Sequence, residues 1–236
     1  ERAVARLGTK DGLEFECIQA VLPKFPRETV RSKLIEATKA TAVPVRKVLE
    51  SAMANADHNA GLDVRELTFG DVMRTAGYHN ACFGKWDMGQ ARRFLPLQRG
   101  FDVFVGHGNN GIDYYTHERY GAPSLFRGNA LSPADRGAYA TEIFRREAVG
   151  FIRENRARPF FLYLPFNAPH GASNLEKDSN QVPAHYLKKY YPALDPALPA
   201  TKYAGMVTAM DEAIGEVFAT LRELGLDRDT LVLFHA

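Results

Sequence analysis

The 236 residues are 45% hydrophobic and 25% charged, an ordinary globular composition with length enough for one large core or two small ones. A formal net charge of +2 is far from the clustered basic footprint that nucleic acid demands, so no nucleic-acid partner is expected. No apolar run approaches the roughly 18 residues of a membrane span, and no secretory signal opens the sequence. The start at Glu1 and the closing apolar run Leu231-Val232-Leu233-Phe234 read as cuts through a longer polypeptide. Cys17 and Cys82 lie far apart without CxxC spacing, which suggests neither a zinc site nor a disulfide framework.

In chain order, Val30, Leu34 and Ile35 predict a helix over 27–40, with Pro26 placed before its first turn. Val45, Val48, Leu49 and Met53 predict a second over 44–54. Leu67, Val72 and Met73 predict a third over 66–76, stopped by Gly77. Asn80-Ala81-Cys82-Phe83 reads as a short strand in which Cys82 is a buried core thiol. Residues 88–138 are rich in Gly, Pro, Asn and aromatic residues and carry little periodicity, so they read as a long structured loop region.

Ile143, Phe144, Ala148, Phe151 and Ile152 predict a helix over 139–156. The run Phe160–Leu164 is continuous in apolar residues, the mark of a strand buried on both faces. After a second loop-like stretch, residues 202–224 carry the strongest helical pattern, including Tyr203, Met206, Val207, Met210, Ile214 and Val217. Gly225 ends it, and 230–234 reads as a second buried strand beside 160–164. The fold class expected is α/β, a largely parallel central sheet flanked by helices. Ligands then bind beyond the carboxyl ends of the strands, just past Phe83 and Leu164.

Those two places carry recognisable motifs. Gly84-Lys85-Trp86-Asp87-Met88-Gly89 is similar to a G-K-W-H-x-G signature, and Pro96 to Asp102 is similar to a P-x-x-x-G-F-D segment. Asp113-Tyr114-Tyr115-Thr116-His117-Glu118 follows, then Asn167-Ala168-Pro169-His170, then a helix and strand over 203–234. Five such segments in this order resemble the type I sulfatases, closest to the arylsulfatase B-like branch, over residues 60–236. Residues 1–59 remain an unassigned N-terminal segment.

The resemblance implies hydrolysis of sulfate esters, with an aryl sulfate or sulfated carbohydrate as substrate and a secreted, periplasmic or lysosomal setting. It assigns Lys85 to sulfate contact and His170 to sulfate binding or protonation of the leaving oxygen. Asp87 stands where the family motif has His and is carried over as a third catalytic candidate; a carboxylate beside sulfate is repulsive unless it is protonated or paired with Lys85 or a metal. The family nucleophile is a formylglycine made within C/S-x-P-S-R, and the nearest echo is Ala42-Val43-Pro44-Val45-Arg46. Alanine occupies the oxidisable position there, with Arg46 as its partner, so no nucleophile is found. The family also implies calcium, which takes six to eight oxygens. No Asp-Asp pair occurs, and Asp102, Asn109, Asn110 and Asp113 read as turn and loop-capping residues, so no metal ligand is assigned. The alternative reading is a degenerate or truncated sulfatase-like domain that does not catalyse and at most binds sulfated ligands.

Overall fold

A computed structural model describes residues 7–8, 14–15 and 68–234. The helices expected over 27–40 and 44–54, together with Cys17, Ala42 and Arg46, lie outside the described residues. Two compact units are present, one comprising His79–Asp227 and the other the flanking 1–78 with 228–236.

In the flanking unit, β1 (Leu7–Gly8) pairs antiparallel with β2 (Glu14–Phe15). Helix α1 (Phe69–Thr75) forms where expected, because Thr68 and Asp71 close a reciprocal capping box at its amino end. Gly77 follows with φ +86, the left-handed stop that a side chain would resist. Residues 231–234 do not form the expected strand; Leu231, Leu233 and Phe234 are exposed. An apolar run becomes a strand only where another strand offers a ladder, and these residues pair with none among those described.

The larger unit is built on a five-stranded sheet in the order β8-β7-β4-β3-β9. Strands β3 (His79–Lys85), β4 (Val103–His107) and β9 (Phe160–Tyr163) are parallel, with β3 in the middle. Strands β7 (Leu125–Arg127) and β8 (Ala130–Leu131) continue the sheet antiparallel. A separate hairpin joins β5 (Glu118–Arg119) to β6 (Ala122–Pro123). Residues 88–138, expected as loop, thus hold β4 and two hairpins. Val103-Phe104-Val105 is too short to show a period, and the glycines around it hide a strand that only its neighbours define.

Alternation along the strands explains the two cores. Ala81, Phe83 and Val105 face helix α2 (Ala140–Glu154), whose Ile143, Phe144, Ala148 and Phe151 are buried against them. Cys82 and Phe104 face the opposite way, under Trp86, Leu95, Phe101 and Phe126. Strand β3 is buried on both faces, as its apolar run requires. Strand β9 is only half-buried, contrary to expectation, since among the described residues its outer edge has no partner.

Helix α3 (Ala184–Tyr190) and the long α4 (Pro199–Glu223) complete the α2 side, with α4 packing on both α2 and α3. The buried stripe of α4 runs through Gly205, Met206, Ala209 and Ala213. Tyr203 and Val207, read from the sequence as part of its apolar face, are exposed. A helix apolar nearly all round announces its period but not its buried side, and small residues won here. A Cβ on Gly205 would come within 2.6 Å of Leu187 Cδ2, so a larger residue there would make the Leu187 side chain move.

Candidate active site at the sheet edge

Because β3, β4 and β9 run parallel, their carboxyl ends open on one edge of the sheet. Two glycines let the three backbones close up there. A Cβ on Gly106 would stand 2.0 Å from the Gly84 carbonyl oxygen, and one on Gly84 would stand 1.9 Å from the Pro165 carbonyl oxygen. Gly84 takes φ +130, a conformation that side chains resist. The Lys85 N–H donates to the Pro165 oxygen at 2.7 Å, tying β3 to the segment that leads to His170.

Lys85 ends β3 and pairs in register with His107, which ends β4. Register partners in parallel strands leave the sheet on one face, so both side chains follow Phe83 and Val105 toward α2. The His107 ring stacks on Phe144, with centroids 6.4 Å apart. His107 is fully buried, and neither ring nitrogen reaches a partner at hydrogen-bonding geometry. Burial pushes its pKa down to about 3; the Asn109 backbone opposes this, and the charges of Lys85, His170 and Arg119 add to it. His107 is therefore a neutral imidazole, with Lys85, Arg119 and the His170 side chain all acting to keep it unprotonated.

Asp87 sits two residues past the strand, with φ 58 and an exposed side chain. Its carboxylate is 4.0 Å from Lys85 Nζ, so the pairing that the sequence required of Asp87 exists at long range. Trp86 fixes the turn between them. Its indole N–H donates to the Phe94 carbonyl at 2.6 Å, and its ring packs edge-on to Phe101.

His170 lies in the turn beyond β9, its N–H donating to the Asn167 carbonyl at 2.9 Å. The imidazole is exposed, and its Nδ1 is 2.8 Å from the Gly171 carbonyl. The His170 carbonyl accepts from the buried Tyr114 hydroxyl at 2.8 Å. Burial raises the Tyr114 pKa strongly, keeping it a donor. A Cβ on Gly111 would lie 3.4 Å from the His170 ring and 2.7 Å from Ser173 Oγ, so glycine leaves room for the ring.

Asp113 organises this loop as a turn residue, as expected. Its Oδ1 accepts from the Tyr115 and Thr116 N–H groups, and its Oδ2 from Asn174 and Gln181 side chains at 3.0 and 2.7 Å. Burial pushes its pKa up, but the four hydrogen bonds outweigh that and hold it below the ordinary carboxylate value. Asp102 likewise accepts from the Asn80 N–H at 2.8 Å, and Asn109 donates to Ser124. Asn110 is exposed in the turn after β4.

His107, Arg119, Tyr114 and the buried Asn167 amide were not singled out from the sequence. One signal was available: a lone His between Gly106 and Gly108, at the end of a β-branched and aromatic run.

A family model described as Sulfatase matches residues 32–236. The chain belongs to the sulfatase family. The chain is 26% identical over 183 residues to mouse (Mus musculus) arylsulfatase J, covering 74% of this chain and 29% of the relative. It is 27% identical over 186 residues to mouse N-acetylgalactosamine-6-sulfatase, covering 74% and 33%. The uncharacterized sulfatase YdeN of Escherichia coli (strain K12) matches at 27% over 206 residues, covering 77% and 34%. The chain thus spans about a third of the length of the curated relatives it matches. Among solved structures, Ps i-CgsB is similar with a TM-score of 0.57 and 25% identity, covering 67% of this chain and 37% of that one. Its complex with k-i-k-neocarrahexaose gives a TM-score of 0.56 at 24% identity, with the same coverage.

Calcium needs six to eight oxygen ligands. Among the described residues, no three His, Cys, Asp or Glu side chains come together as a metal group. The carboxylate of Asp113 already accepts four hydrogen bonds. The described part of this sulfatase therefore does not fit calcium, and no chemical step derived below passes through a metal. No helix among the described residues is long and apolar enough to cross a membrane.

Proposed function

We propose that this chain contributes the anion-holding side of a sulfate-ester hydrolase site. The observation that carries the reading is the shared position of Lys85 and His170 at the carboxyl edge of one parallel sheet, each bearing electrostatically on His107. Lys85 supplies a point charge to the sulfuryl oxygens, where negative charge builds in the transition state. His170, exposed at the mouth, binds the same group or protonates the leaving oxygen. Asp87 holds Lys85 loosely and lowers the net charge of the pair. Membership of the sulfatase family and the names of the relatives support a sulfated carbohydrate as substrate, with N-acetylgalactosamine-6-sulfatase among them. Calcium is the metal proposed for the whole enzyme.

A second reading, a sulfate-binding domain without catalysis, is favoured by alanine at position 42 and by the carboxylate at position 87. An activated nucleophile is indispensable to the covalent route, and Ala42 cannot be oxidised to one. Residues 1–236 are expected to bind sulfate in the millimolar range, less tightly as salt rises, and to hydrolyse no 4-nitrophenyl sulfate above background. Lys85→Ala should abolish the binding. Turnover that depends on Lys85 would show that a nucleophile lies elsewhere in the chain; sulfate affinity indifferent to Lys85 would remove the reading.

A further inference from the structure

Arg119 differs from Arg127, Arg136, Arg145, Arg146 and Arg153, each of which is ion-paired. Arg127 and Arg146 both reach Asp135 and Glu147, Arg145 pairs with Glu216, and Arg153 with Glu223. The carboxylate next in sequence to Arg119, Glu118, is taken by Arg136 at 2.7 Å. Arg119 makes no ion pair among the described residues, and its Nε is buried without a hydrogen-bond partner. Its guanidinium carbon lies 5.7 Å from the centre of the Tyr120 ring. A guanidinium with a buried, unpaired N–H is costly unless an acceptor comes to it.

Position tells where that acceptor would come from. On one side of Arg119, the Glu118 carbonyl accepts from the Asp113 N–H at 2.8 Å; on the other, the Tyr120 N–H donates to the Ser173 carbonyl at 2.8 Å. The segment is thereby fastened to the loop that follows His170. The charge of Arg119 also bears on buried His107, as do Lys85 and His170. The same neighbourhood holds the fully buried His107 and the buried Asn167, which lies three residues before His170. The Asp87 carboxylate, 4.0 Å from Lys85, offsets part of the positive charge at the strand ends.

We infer that Arg119 is a second anion-binding subsite beside Lys85 and His170, and that the ligand is a carbohydrate bearing a further negative group besides its sulfate ester. The inference rests on the proposed Lys85–His170 anion site. The planar fork of a guanidinium fits a carboxylate or a second sulfate through two parallel N–H bonds, which an ammonium cannot reproduce. Arg119 thus selects the substrate and does not take part in breaking the ester.

The test uses the full chain and three probes: N-acetylgalactosamine 6-sulfate, its 4,6-disulfate, and a monosulfated disaccharide containing glucuronate. Calorimetry should find the disulfate, the glucuronate disaccharide or both bound about tenfold more tightly than the monosulfate; which of them gains tells whether the second group is sulfate or carboxylate. Arg119→Gln should erase that preference while changing monosulfate affinity less than about twofold, and Arg119→Lys should keep part of it. Equal affinities in the unmodified chain, or equal losses for all three probes in Arg119→Gln, would overturn the inference. Lys85→Ala separates the two levels. It should weaken every probe, and monosulfate binding that it leaves undiminished overturns the Lys85–His170 site itself. Binding of none of the probes overturns both.

Discussion

Lys85 and His107 are register partners at the carboxyl ends of adjacent parallel strands, one half-exposed and cationic, the other fully buried and neutral. The pairing places a lysine ammonium above an imidazole that cannot accept a proton near neutral pH. It also gives His107 a measurable signature.

Burial holds the folded pKa of His107 near 3, below the ordinary histidine value, so the unfolded chain binds the extra proton first. The stability this group contributes is complete above the unfolded pKa of about 6.5 and is lost as pH falls toward 3, by up to about 1.4 kcal/mol per pH unit. Urea unfolding at several pH values should show that slope, and His107→Phe should flatten it. An unchanged slope would mean that His107 does not stay neutral in the fold.

Gly84→Ala tests the closure of the three strand ends. Its Cβ would meet the Pro165 oxygen at 1.9 Å, and the φ of +130 adds strain, so neither backbone can keep its place. A loss of about 3 kcal/mol or more in unfolding free energy is expected, together with loss of sulfate binding. Gly150→Ala, in α2 with open space around it, should cost nothing or stabilise slightly.

Asp87→Asn keeps a residue that accepts left-handed backbone and removes the negative charge 4.0 Å from Lys85. Removing a like charge from beside the anion should make sulfate bind tighter at low ionic strength, by at most roughly fivefold, the worth of a unit charge about 4 Å away in water. The gain should shrink as salt rises, and isothermal titration at two salt concentrations would reveal it. Weaker binding would assign Asp87 a supporting role toward the anion.

Tyr114→Phe removes one hydroxyl and leaves the ring in its stack with Tyr139. The His170 carbonyl then loses its donor, at a cost of about 1–2 kcal/mol in stability. If that bond positions His170, the imidazole signals in NMR spectra should move and sulfate affinity should fall several-fold. Unmoved signals with the same stability loss would make Tyr114 purely structural.

The placement of Lys85 and His170 was legible in the sequence because each follows a strand visible as an apolar run. Helices α1, α2 and α4 were legible because their period repeats over enough residues to be counted, and Gly77 and Gly225 mark two stops through positive φ. Strand β4 and the hairpins were not. A three-residue apolar core between glycines has no period, and its strand state comes from ladders with β3 and β7.

By itself the sequence determined the residue types at the site, the alternation of helix and strand, and membership of the sulfatase family, since these depend on local pattern and order along the chain. Only the tertiary structure decided that His107 stands beside Lys85, that Arg119 has no carboxylate partner among the described residues, and that Tyr203 and Val207 turn outward. Those outcomes depend on register, on competition among charges for partners, and on which helix face fits most closely. Each is a property of neighbours far apart in the chain, and no window of sequence contains them.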